Sequence, residues 1–126
     1  MYDKGEMITY NLGLHDFAAA GDALAIKGPP GKTGRIVDIG VAVTEVFNEV
    51  TTPAYVRLGT GADPDAYAEL NMGSAADTDY WNTIDDPDAI IVEALPADTQ
   101  IEVALVANTG GTPTGIGHVH ISVLWY

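Results

Sequence analysis

His118 and His120 stand two residues apart in the C-terminal stretch HVHISVLWY. On an extended strand that spacing puts both imidazoles on one face, where together they can ligate a divalent metal. A metal site needs a third ligand, and residues 121–126 hold no acid, so it would have to come from His15 or a distant carboxylate. The plainer reading is a surface or subunit-contact face that carries two histidines. Gly28-Pro29-Pro30-Gly31-Lys32-Thr33 has the glycine, lysine and threonine of a phosphate-binding loop, but that loop needs a glycine where Ile26 stands. It also leads into a period-two stretch instead of a helix, so a Pro-Gly turn entering a strand is expected.

Asp63/Asp65, Asp77/Asp79 and Asp85/Asp86/Asp88 offer oxygen ligands for calcium. None has the ligand spacing of an EF-hand loop or its closing Glu, and Asp beside Pro is already explained as a turn former. The only serines are Ser74 and Ser122. Ser122 shares a strand face with His120, but side chains on one face run parallel, and no nucleophile elbow surrounds it. Among the 18 acids no pair is set apart for glycoside hydrolysis. The sequence therefore assigns no catalytic residue, no metal and no cofactor, and the protein is expected not to be an enzyme.

These side chains sit in a chain of 126 residues, long enough for one core and short for two, so residues 1–126 are expected to form a single domain. Hydrophobic residues make up 47% of it and are spread throughout, which a disordered chain does not show. The formal charge of −13, from 18 acids against 5 Lys and Arg, argues against nucleic-acid binding, because phosphate contacts need clustered cations. The same field repels anionic membranes and suits a basic partner surface. No cysteine is present, so disulfides, thiolate metal sites and catalytic thiols are excluded. No apolar run has the length of a signal peptide or membrane span, and synthesis and assembly in the cytoplasm are expected.

The dominant periodicity is two. Over residues 35–47 the apolar positions are Val37, Ile39, Val41, Val43 and Phe47, with Asp38, Gly40, Ala42 and Thr44 on the other face. Residues 98–107 alternate in the same way, with Ile101, Val103 and Leu105 inward, and so do residues 118–125, with Val119, Ile121, Val123 and Trp125 inward. Shorter strands are expected at residues 54–59 and 89–95, and further ones at 7–14 and 23–26. Residues 1–14 can alternatively extend as an N-terminal arm, and the small-residue stretch around 18–21 can hold a helix that its glycine weakens. Between 63 and 87 the sequence allows a short strand at 66–70 or a helical turn around 75–80. Turns recur at 28–34, 51–53, 63–65, 85–88 and 108–115. This pattern predicts an all-β, two-sheet antiparallel β-sandwich with a jelly-roll-like or related Greek-key arrangement.

GRIVDIGVAVTEVFNEVTTPAYVRLGTGADPDAYAELNMG at 34–73, continued by DDPDAIIVEALPADTQIEVALVANTGGTPTGIGHVHISVLWY at 85–126, resembles small auxiliary head proteins of tailed bacteriophages. These are decoration or cement proteins of the virion. The resemblance lies in strand patterns joined by turns and includes no catalytic signature. It implies a non-enzymatic capsid protein seated on the exterior of the head and bound to the major capsid protein. It also implies a homo-oligomer, with a trimer favoured, and a stabilising action on the head.

Contacts of that kind rest on aromatic or apolar anchors within a polar rim. Tyr2, Met7 and Tyr10 are the candidates for gripping a capsid, and Trp125 and Tyr126 for a subunit interface, each with a core position as the alternative. Two rival functions follow from other residues. Tyr80 and Trp81, on a long acidic loop, would stack on sugars in a receptor- or carbohydrate-binding module of a tail or fibre. His118 and His120 are similar to the His-x-His of cupin metal sites, which would make a metal-dependent enzyme.

Overall fold

A computed structural model describes residues 5–19, 23–48, 51–73, 75 and 78–126. The described residues form nine strands: β1 Glu6–Asp16, β2 Ala23–Ile26, β3 Gly34–Asn48, β4 Tyr55–Gly59, β5 Ala68–Asn71, β6 Tyr80–Asn82, β7 Ala94–Leu95, β8 Ile101–Val106 and β9 Thr114–Trp125. They form two antiparallel sheets, ordered β1-β9-β3-β6 and β2-β8-β4-β5, with β7 added to β3. The chain crosses between sheets at nearly every connection, and its first and last strands are neighbours. With β7 set aside, this eight-strand wiring is that of a jelly roll.

One apolar cluster fills the space between the sheets. Ile39, Val41, Val119, Ile121 and Val123 enter it from the first sheet, and Val56, Leu58, Leu70, Ile101 and Val103 from the second. Burial of each such side chain contributes about 1.5–3 kcal/mol. Phe17, on a short 3-10 turn after β1, meets Phe47 edge to face at 5.0 Å and closes one end of the core.

Three details differ from the reading of the sequence. Val37 does not join the inward face of β3. The ladder with β9 slips between Ile36 and Asp38, so that Ile36 is buried and Val37 stands in solvent. A bulge shifts the two-residue alternation by one, which alternation in the sequence alone cannot reveal. Residues 89–95 are not a full strand; only Ala94–Leu95 pairs as one, because the backbone of this segment bonds in turn to β5, to Tyr67 and to β3. The helical turn weighed around 75–80 lies partly outside the described residues; residues 80–82 form β6, and the strand expected at 66–70 occupies Ala68–Asn71.

β1 is an edge strand along most of its length. It pairs with β9 from Glu6 to Asp16, with a bulge at Leu12 where Gly13 takes a positive φ of 88°. Local bonds occupy the backbone there: Asn11 Oδ1 accepts from Gly13 N–H at 3.2 Å, and His15 Nε2–H donates to Leu12 O at 2.8 Å. Residues 1–4 lie outside the described part. Among the described residues, no helix is long and apolar enough to cross a membrane.

Candidate functional site

On β9 the side chains of Ile116, His118, His120, Ser122 and Leu124 alternate outward, as the period-two reading expects, and this face carries the two histidines. His118 lies between Leu14 and Ala42, and His120 between Asn11 and Gly40. None of these cross-strand neighbours is a carboxylate. His15 pairs with Gly117 and so occupies the opposite face from His118, with its ring spent on Leu12 O. The three histidines therefore do not converge, and no group of three or more His, Asp or Glu suited to a metal occurs among the described residues. Ser122 Oγ lies 3.0 Å from Thr9 Oγ1, a cross-strand hydroxyl pair on an exposed face.

Tyr80 and Trp81 are adjacent on β6 and consequently point to opposite faces. Tyr80 lies on the outer face across Gly40, where a methyl group would collide with the phenol. Its O–H donates to Asp38 Oδ2 at 3.1 Å, and Thr83 Oγ1–H donates to Asp38 Oδ1 at 3.0 Å. Burial, and then the charge and hydrogen bond of Asp38, push the phenol's pKa up to about 12. Trp81 turns inward against the core, and its indole N–H donates to Asn71 O at 2.8 Å. A sugar platform built from both rings does not form.

The aromatic residues at the two chain ends meet. Trp125 is buried, and its ring fills the space left by Gly28 and Gly34, where a Cβ would lie 2.5 and 2.7 Å from ring carbons. Its indole N–H donates to Tyr10 Oη at 3.1 Å, and Tyr10 O–H donates to Lys27 O at 3.0 Å. Burial raises the Tyr10 pKa against the opposing effect of the Trp125 hydrogen bond. Trp125 thus takes the core place that its type also allowed, and Tyr10 clamps β1 onto the 27–33 turn. Met7 and Tyr126 are both more than half exposed, and Tyr126 is held by its backbone, which exchanges two hydrogen bonds of 2.9 Å with Thr33. Tyr2 lies outside the described residues, as do Ser74 and Asp77.

Several aspartates accept hydrogen bonds from backbone amides. Asp98 Oδ1 accepts from Gly31 N–H at 2.8 Å, Asp85 Oδ2 from Asn82 N–H at 3.0 Å, and Asp86 Oδ2 from Asn71 N–H at 2.9 Å. Asp63 has its pKa raised by a hydrogen bond with the Asp65 carboxyl. No pocket occurs among the described residues. Sequence reasoning passed over Ile84, Ile91 and Val92, which stand in solvent on the segment between β6 and β7. The signal available was the unbroken apolar run Ala89-Ile90-Ile91-Val92, which has no alternation to hide half of it.

The described residues form a two-sheet antiparallel sandwich of jelly-roll wiring. Among solved structures, the chain is similar to one described as the cyanophage Pam1 capsid asymmetric unit. The likeness has a TM-score of 0.55 at 13% identity and covers 100% of this chain and 88% of that one. At that identity it is a shared fold. No protein-family model matches the sequence, and no curated protein matches it.

Proposed function

We propose that this chain is a non-enzymatic decoration protein of a tailed-phage head, which binds the major capsid protein on the capsid exterior and stabilises the shell. The observation that carries this reading is the fold shared, over the full length of the chain, with a chain from a cyanophage capsid assembly. The chain works as a homo-oligomer, with a trimer favoured, assembled in the host cytoplasm. Met7 and Tyr126, exposed on the end of the sandwich where β1 begins and β9 ends, are the contact candidates.

The mechanism is mass action and geometry. An oligomer that bridges neighbouring capsid subunits binds the closed shell and not the separated subunits, so occupancy shifts the equilibrium toward the shell. At a free concentration one hundred times Kd this amounts to about 2.7 kcal/mol per site. Heads assembled without the protein should release their DNA at a lower temperature than the same heads after it is added back. Identical release temperatures with and without saturating protein would remove the stabilising role.

A further inference from the structure

Among the described residues, four of the nine exposed large hydrophobic side chains belong to one flank. Ile84 is 82% exposed, Ile91 57% and Val92 47%, all on the segment that joins β6 to β7. Hydrogen bonds locate this segment. Asn71 N–H donates to Asp86 Oδ2 and Glu69 N–H to Ala89 O, which ties it to β5. Ile91 and Val92 N–H donate to Tyr67 O, and Ile36 N–H then donates to Glu93 O, which returns the chain to β3. The segment therefore crosses from the β6 side of one sheet to β5 of the other and back, closing the flank of the sandwich. Val37, 44% exposed through its bulge, follows Ile36 at the point of return. Single exposed apolar residues are ordinary, but several gathered on one flank among carboxylates have the composition of a contact surface.

Charge selects what covers it. Residues 58–126 contain eleven Asp and Glu and no Lys or Arg. On this flank Asp85 and Asp88 are exposed, and Arg35, the cation beside it, is already paired with Glu93 at 3.2 Å. A second copy presenting the same flank about a two-fold axis would set carboxylates against carboxylates, and one presenting another face would still bring its own net charge of −13 to this acidic flank. We propose that the flank of Val37, Ile84, Ile91 and Val92 docks a different protein, one whose apolar recesses are ringed by Lys and Arg. Under the function proposed above, on which this inference rests, that protein is the major capsid protein. The backbone at this flank is already bonded to β5 and β3, so the contact is made by side chains and not by an added strand.

The test uses the full chain in three forms: wild type, Ile84→Ser with Ile91→Ser, and Asp88→Lys. Each is sedimented with heads assembled without the protein, after its mass and melting curve are recorded. Both variants should bind at least about tenfold more weakly than wild type, with unchanged mass and melting, because the altered side chains are exposed. Wild-type binding should also weaken as salt rises. Variants that bind like wild type would overturn the docking face and leave the capsid function standing. A serine variant whose mass falls instead would assign the flank to self-association, which also overturns the proposal. Wild-type protein that does not bind heads would remove the capsid function, and this docking face with it.

Discussion

The phenol of Tyr80 lies across Gly40 with its O–H on Asp38, an arrangement that makes its acidity measurable. Its pKa of about 12 stands above the ordinary 10.0, so the fold favours the neutral phenol. That contribution to stability is complete below pH 10.0 and is lost as pH rises through about 12. Ultraviolet titration of wild type minus Tyr80→Phe should show one phenol ionising near 12. In Asp38→Asn it should fall below that value and stay above 10.0, since burial remains. A wild-type Tyr80 that ionises near 10.0 would contradict the geometry. Residue types foretold some of this and not the rest. Neighbours on a strand must diverge, so Tyr80 and Trp81 could not both face one sugar, but the short β6 was not legible in a stretch without alternation. Trp125 was legible as a strand residue, whereas Gly28 and Gly34, which make its slot, read only as turn glycines because their partner lies more than ninety positions away.

At the scale of elements, long alternating stretches were legible and their interruptions were not. β8 and the inward side chains of β9 follow the two-residue period directly. β3 follows it until a bulge exchanges Val37 for Ile36, and 89–95 has strand composition while its hydrogen bonds go to three different places. Two glycines separate conformational from packing demands. Gly13 has a φ of 88° with open space around it, so Gly13→Ala should lose roughly 1–2 kcal/mol through backbone strain alone. Gly34 faces the Trp125 ring at 2.7 Å, so Gly34→Ala should lose roughly 1–3 kcal/mol and displace the indole. Urea unfolding in a Trp81→Phe background checks both, because Trp125 is then the sole indole. Its native emission should shift in Gly34→Ala and stay constant in Gly13→Ala. The same shift in both, or in neither, would refute the separation.

At the scale of the molecule, the wiring makes β1 and β9 neighbouring strands and gathers His118, His120, Asp38 and Tyr80 on the outer face of one sheet, with the Tyr80 and His120 rings 6.2 Å apart. The charge of −13 adds a long-range attraction for a basic surface and a repulsion between copies, so self-association must rest on close packing. Sandwich and sign of charge were both legible from alternation and composition. The flank was not, because its exposure is set by how residues 83–93 lie across both sheets. The most direct test of the capsid account is cosedimentation of the purified protein with heads assembled without it. Saturable binding at a fixed ratio to the major capsid protein is the predicted result. A folded protein that stays in the supernatant at every concentration would contradict the account.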